Sequence, residues 1–442
     1  MQDEIDENRS VWAAVARPRE ELPPLVGDVT ADVVIVGGGF TGISTAYHLS
    51  ARYPDRRIVL VEARGIGNGA SGRNAGMALN WINGVDAAHP ERAKRVWETT
   101  QRGIRWIGDV IARHGLDVRF RRAGTLETYT SAERAEHAHA KVEKLAAYGI
   151  PGEYLTGPAL ERRIRAVGVV GAVHDPTTGQ LNGLDLLNGL VPVLTARGVA
   201  IHERSPVVRI EDGRTHAVHT AQGVVRAPAL VLATNGYTPN LRWFRTGILP
   251  LHSHMLATEP LPLERWAELG WGDTAGFSDD LDRIAYASMT EDGRLLFGGG
   301  GNGAYSYLYG GRTAWPGAAE SQHAFVQGVL ARYFPGAKDV AIAQRWTGTL
   351  GTTMHRVCSM GVTGPHRNVY YALGYSGHGV ALANLAGDVL CDLYSDHHEP
   401  WRDLPFYQRR IEGMVPPEPL RWAGYQVVTR LTGKSPRRYE VD

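Results

Sequence analysis

The residues Gly37-Gly38-Gly39-Phe40-Thr41-Gly42 follow an apolar run, Ala31–Val36, and open a stretch with helical patterning, Thr41–Tyr53. This is G-x-G-x-x-G in the context that gives it meaning: strand, turn, helix. Gly37 permits the tight turn, Gly39 lets backbone approach a pyrophosphate, and Gly42 lets helix and strand pack closely, with small Ala46 beneath the turn. The helix start offers unpaired N–H groups and a positive dipole end to phosphate oxygens. A second strand, Arg57–Glu62, ends in a carboxylate 20 residues beyond Gly42. There Glu62 accepts hydrogen bonds from a ribose 2′-OH and disfavours a 2′-phosphate. The chemistry is dinucleotide binding. NADP is disfavoured, and NAD and FAD both stay open.

The elements around this motif give a split architecture. Helices are expected at 90–114, 131–148, Leu184–Arg197 and Val380–Tyr394. Strands are expected at Ala200–His202, Val207–Glu211, His216–Thr220, Ala229–Ala233 and Asn368–Leu373. Residues 63–83, rich in Gly, Ala and Asn, read as a loop. Rossmann-like pieces thus recur early, in the middle and near the end, with antiparallel sheet between them. Expected boundaries are 1–95, 165–245 and 346–415 for the cofactor-binding part, 96–164 and 246–345 for an inserted substrate part, and 416–442 for a tail.

Bulk composition narrows the field. The 442 residues suggest two domains, and 43% apolar content supplies a large core. With 47 Lys+Arg against 46 Asp+Glu, no global field attracts nucleic acid. Cys358 and Cys391 are too few for a disulfide framework or a cysteine metal site, which fits a reducing compartment. The acidic start MQDEIDENRS does not read as a secretory signal, and no apolar run reaches a bilayer-spanning length. The expectation is a cytoplasmic protein with no metal. In the tail, Arg421, Arg430, Lys434, Arg437 and Arg438 are interleaved with Trp422, Tyr425 and Val427–Val428. That pattern suits an amphipathic helix, either packed on the protein or touching a membrane or partner.

Three further segments decide the cofactor. Gly69-Ala70-Ser71-Gly72-Arg73-Asn74-Ala75-Gly76-Met77 follows the second strand; Ala233-Thr234-Asn235-Gly236-Tyr237 ends a later one; Gly374-Tyr375-Ser376-Gly377-His378-Gly379-Val380 opens the last helix. At these residues the chain resembles the D-amino-acid-oxidase-like flavoproteins, in the branch of gamma-glutamylputrescine oxidase and, more distantly, monomeric sarcosine and glycine oxidases. The resemblance covers about residues 8–395. It implies a discontinuous, glutathione-reductase-like Rossmann domain binding FAD, an α/β unit, joined to an α+β substrate domain on an antiparallel sheet.

It also implies roles. The small residues of 69–76 would let the backbone pass close to pyrophosphate and flavin, Met77 following them, and Ala63 and Arg64, after the ribose-binding Glu62, would also meet the cofactor. Val207 would meet the adenine, Ala233–Gly236 the ADP portion, and Trp346 and Gly348 a flavin-side strand. Gly374, Tyr375, Gly377, His378, Gly379 and Val380 would run along the ring, with Tyr375 and His378 positioning rather than acting as acid or base. For Arg73 a salt bridge competes with a cofactor contact, and for His378 a structural role competes with a catalytic one.

The implied reaction oxidises a C–N bond: hydride passes from the α-carbon of a primary or secondary amine to flavin N5, and the imine is hydrolysed. Electrons then go to oxygen, giving hydrogen peroxide, or, in a dehydrogenase, to a quinone or carrier protein. Ala381 stands where monomeric sarcosine oxidase has a carboxylate-binding lysine, and no lysine occurs between Lys144 and Lys338 to stand over the flavin. Monomeric sarcosine oxidase tethers its flavin through a cysteine in the stretch that matches Arg345-Trp346-Thr347-Gly348; no cysteine stands here, so the resemblance implies noncovalent FAD. His252, His254, Tyr305, Tyr307 and Trp346 are the candidates to line the amine pocket. A flavin monooxygenase is the remaining redox alternative, but its Gly-Asp pair would have to be Gly387-Asp388, inside the last helix.

Overall fold

The computed structural model describes residues 5–80 and 89–432. Residues 1–4 of the acidic start, 81–83 of the expected loop, and Lys434, Arg437 and Arg438 of the tail lie outside the described residues.

A six-stranded sheet carries the strands Ser359–Thr363, Val369–Leu373, Ala229–Leu232, Val33–Val36, Ile58–Val61 and Ala200–His202, in that order. All neighbours are parallel except the first pair. The central strands are buried on both faces, which is why they read as unbroken apolar runs. Alternation still sorts their side chains. Val33, Ile35, Ile58, Leu60 and Val231 pack with the helices Phe40–Arg52, Gly183–Ala196 and Gly379–Tyr394. Val34, Val36, Val59, Val61 and Leu232 pack with a second sheet made by Gly27–Thr30, Gly223–Ala227, His216–His219 and Arg209–Glu211.

The other large sheet is mostly antiparallel. Its long strands Leu249–Thr258 and Ile342–Thr352 pair over nearly their whole length. The rest of it includes Gly276–Asp279, Ala285–Met289, Leu295–Gly299, Thr125–Tyr129, Gly171–Asp175 and Glu153–Leu155. Its own core gathers Phe277, Phe297, Trp266, Trp271 and Phe334.

Three elements lie across the expected boundaries. Helix Pro90–His114 sends Ile104, Ile107 and Val110 into the Rossmann-side core, although residues from 96 were expected in the substrate part. Strand Gly171–Asp175 pairs with Thr125–Tyr129 in the antiparallel sheet, although 165–245 was expected in the cofactor part. Strand Ile342–Thr352 runs unbroken through the expected break at 346. Edges of this kind are set by tertiary pairing, which local pattern does not record.

Helices Phe40–Arg52 and Gly379–Tyr394 cross closely. Ser44 Oγ donates to the Asn384 carbonyl at 2.5 Å, and a methyl built on Gly387 would overlap the Ser44 backbone. Gly387→Val must separate the two helices, an overpacking cost of about 2 to 3 kcal/mol. Urea unfolding should show that loss with the m-value unchanged; a variant as stable as the parent would show that the crossing is not tight.

Candidate active site

The two helix starts open onto one cavity of about 580 Å³. Its wall holds Glu62, Ala63 and Val207, with Gly37, Gly39, Phe40, Thr41 and Ser71 from the first helix start and its surroundings, and Tyr375, Gly377, His378, Gly379 and Val380 from the second. Neither helix has an acidic residue in its first turn, so both positive ends face the cavity without internal neutralisation.

The turn geometry is that of a phosphate cradle. Gly37 has φ +108°, and a methyl on Gly42 would collide with the Gly37 carbonyl oxygen. A methyl on Gly39 would stand 2.7 Å from Ser71 Oγ, which accepts the Phe40 N–H at 3.0 Å. Glu62 accepts the Gly38 N–H at 2.7 Å and the Arg64 N–H at 3.0 Å. Burial pushes the Glu62 carboxyl above the usual carboxylate range, with those backbone N–H groups working against it. Tyr375 hydroxyl and Thr41 Oγ1 are 2.7 Å apart, which ties the second glycine segment to the first helix turn. Burial raises the Tyr375 phenol well above its ordinary range, so it keeps its proton. Asn235 Oδ1 accepts the Gly374 N–H at 2.9 Å and joins the third segment to the same wall.

These features fit FAD on the structure's own terms. One cavity brings together a carboxylate, a helix start where only glycine fits, and a second helix start beside a sheet. Gly69, Ala70, Asn74, Ala75, Met77, Ala233, Thr234, Gly236 and Gly348 also line it.

Other candidates stand elsewhere. Gly42, Gly72, Gly76 and Gly374 are not in the wall; they permit close packing or turns behind it, Gly76 at φ +72° and Gly374 at φ +77°. The Arg64 guanidinium donates twice to the Ile5 carbonyl. Arg73 lines the cavity, but its buried guanidinium pairs with Asp6 at 2.8 Å and donates to the Asn68 and Thr347 carbonyls. Trp346 is outside the wall for both its expected roles: it is buried, with its indole N–H on the Arg73 carbonyl at 2.9 Å.

His252 and His254 are corrected by strand parity. Leu251 and Ser253 face the cavity, so 252 and 254 point the other way. His252 Nε2 meets the Arg312 carbonyl at 2.9 Å, and His254 Nδ1 meets Thr347 Oγ1 at 2.9 Å. Tyr307 is also outside the wall, bonded to Glu418 and packed on Tyr425. Tyr305 lines the cavity, donating to the Ile284 carbonyl at 3.1 Å.

Sequence reading missed Ser253, Tyr286, Thr125, Glu127, Arg283 and Arg356, all in the cavity wall. Ser253 Oγ and Tyr286 hydroxyl are 2.8 Å apart, and burial pushes the Tyr286 phenol up to about 12. Arg356 donates to Asp282 at 2.8 Å. The alternation Thr125, Glu127, Tyr129 was a readable strand signal. Arg283 and Arg356 sit in connections between strands and left no periodic trace. Asp388, required by the monooxygenase reading, pairs with Arg102 and is outside the cavity wall.

Fold and site together define a flavin-type oxidoreductase with a split Rossmann domain. The chain matches the DAO family, FAD dependent oxidoreductases, over residues 32–393, and belongs to it. It is 30% identical over 412 residues to gamma-glutamylputrescine oxidoreductase of Escherichia coli (strain K12), covering 90% of this chain and 92% of that one. It is 25% identical to glycine oxidase of Geobacillus kaustophilus, covering 87% and 98%. The crystal structure of that glycine oxidase superposes with a TM-score of 0.72 at 20% identity, covering 87% of this chain and all of the other. The protein is an FAD-dependent oxidoreductase acting on CH–NH groups.

Two outcomes follow from this geometry. Gly39→Val fills the cradle against Ser71, so the purified variant should lack flavin absorbance while staying folded; full flavin content would contradict the cradle. Burial lowers His254 from 6.5 to about 3. The folded chain therefore holds it neutral while the unfolded chain takes up a proton below pH 6.5, so stability falls as pH drops from 6.5 toward 3. At pH 5 this single group costs about 2 kcal/mol. Urea unfolding at pH 7.5 and pH 5 should show His254→Asn losing about that much less than the parent, and an identical pH dependence would rule the account out.

Proposed function

We propose that the protein oxidises a C–N bond of a primary or secondary amine, with noncovalently bound FAD as the redox group and oxygen as the acceptor, giving hydrogen peroxide. The observation that carries this reading is the continuity of the cavity. The cavity walled by Gly377–Val380 is also walled by Ser253, Tyr286 and Tyr305 of the antiparallel sheet. When bound, FAD supplies acceptance of hydride from the carbon that bears the nitrogen, leaving an imine for water to hydrolyse.

The chain's own residues bind, orient and exclude water. Tyr286 and Ser253 form a fixed polar pair in the wall, and Tyr286 stays protonated at neutral pH. Glu127 places a carboxyl group in the same cavity wall, a side chain suited to an amine. Tyr375, held on Thr41, fixes the path of the Gly374–Gly379 backbone. His378 stands at the N-cap position of the last helix and lines the cavity, its side chain making no capping hydrogen bond, and its role is positioning. Noncovalent attachment is supported at both cysteines: Cys358 and Cys391 are buried, outside the wall, and each is pushed up to about 12 by burial.

A dehydrogenase that passes electrons to a quinone or carrier is the second reading. It is favoured by the lysine content of the wall. Lys141 lines the cavity, but it is exposed and stands on the helix Ala132–Ala146 that packs against the sheet, not on a strand of it.

Anaerobic bleaching of the flavin separates these readings. The panel should include gamma-glutamylputrescine, on which the Escherichia coli relative is named to act, other primary and secondary amines, glycine, sarcosine and NAD(P)H. Bleaching by an amine but not by NAD(P)H is expected, with colour returning quickly in air. Slow return would favour the dehydrogenase, and bleaching by NAD(P)H alone would overturn the amine reading.

A further inference from the structure

Residues 5–9 form neither helix nor strand, and Ser10 starts the short helix Val11–Val15 by accepting the Ala13 N–H at 3.2 Å. An arm of this kind is usually poorly held. Here it is bonded along its length to the loop that leads from the strand Ile58–Val61 to Met77. The Asp6 carbonyl accepts Asn68 Nδ2 at 2.8 Å and Arg73 Nη2 at 2.9 Å. Asn8 donates its backbone N–H to Asn68 Oδ1 at 2.8 Å and its Nδ2 to the Gly72 carbonyl at 3.0 Å. Ser10 Oγ donates to that same carbonyl at 2.5 Å, and the Trp12 indole N–H donates to the Asn74 carbonyl at 2.6 Å. The loop is shaped to admit the arm: a methyl on Gly72 would stand 2.6 Å from Asn8 Nδ2, and one on Gly76 would stand 3.0 Å from the Trp12 ring.

Arg73 is the charged centre of this contact. It is 4% exposed, and its guanidinium is always charged. It donates to the carbonyls of Asn68, Thr347 and Asp6, so it joins the loop, the strand Ile342–Thr352 and the arm. Among the described residues, the one carboxylate within ion-pair distance of it is Asp6, at 2.8 Å. A buried cation stripped of its counter-charge is far less favourable than the pair. The same residues face the cofactor space. Asn68, Arg73 and Asn74 of the loop line the cavity, and so does Ile5 of the arm.

A wall loop that is already fixed needs no ordering when its ligand arrives. One that is loose must be ordered by the ligand, which weakens binding and speeds release. We propose that the arm Ile5–Trp12 is a fourth segment of the FAD site, a strap that fixes the 68–74 loop in the cavity wall, with Asp6 as the positioning residue that neutralises Arg73. The arm thereby sets how long FAD stays bound. This rests on the noncovalent attachment of FAD proposed above, and it stands apart from the choice of amine and acceptor.

Acid precipitation of the parent protein is the first step of the test, and the flavin should stay in the supernatant. Flavin in the pellet would overturn noncovalent attachment, and with it a role of the arm in retention. FAD release is then timed by the rise of free-flavin fluorescence after the loaded full-length protein is diluted. Asp6→Ala should release FAD about tenfold faster than the parent. Asp6→Glu, which keeps the charge, should restore most of the retention. Asp6→Asn, which keeps an acceptor oxygen and loses the charge, should not. Asn8→Ala removes a bond to Gly72 without touching the ion pair and should speed release about threefold. Arg9→Ala, exposed on the same arm, should match the parent. An unchanged gel-filtration volume shows that each variant is folded. Release at the parent's rate from both Asp6→Ala and Asn8→Ala would overturn the proposal, and full recovery in Asp6→Asn would overturn the charge role of Asp6.

Discussion

The crossing of helices Phe40–Arg52 and Gly379–Tyr394 is the constraint on which the site depends. Gly387 lets the Ser44 backbone approach, and Thr41 bonds Tyr375 across 334 residues of sequence. Without that approach the two glycine segments would form two separate turns. With it, two positive helix ends converge on one cavity, and the antiparallel sheet closes the far side. Long-range contacts of this kind are entropically expensive to form, so the parallel sheet beneath must hold both helices in place.

The same economy explains which side chains are at work. Many residues of the glycine segments act through what they lack: Gly42 and Gly76 admit a carbonyl where a methyl would collide. Others are occupied in holding those segments still. Arg73 and Trp346 brace the 69–77 loop from behind, and Ser10 and Trp12 of the N-terminal arm donate to its Gly72 and Asn74 carbonyls. A motif made mostly of glycine and alanine thus depends on several residues whose business is rigidity.

Much of the cofactor side was legible because it is local. The strand Val33–Val36, the turn and the helix from Phe40 are contiguous, and Glu62 sits at the end of the next strand. The amine side was less legible because it is assembled from single residues on separate strands. His252 and His254 were chosen where Leu251 and Ser253 face the cavity; alternation alone gives two equivalent faces, and only the partner sheet decides between them. Arg283 and Arg356 come from turns, where side-chain direction has no periodicity to read. Tyr307 faces the tail helix, an element whose docking the sequence does not announce.

The convergence of both helix starts on one cofactor is tested most directly by a double-mutant cycle on FAD affinity. Apoprotein of the parent, Thr41→Val, Tyr375→Phe and the double variant would be titrated with FAD by fluorescence quenching. The account expects the two sites to be coupled by about 1 kcal/mol, the double variant losing clearly less than the sum of the single losses. Strictly additive losses, or full affinity in all variants, would contradict it, since the two segments would then not be serving a common ligand.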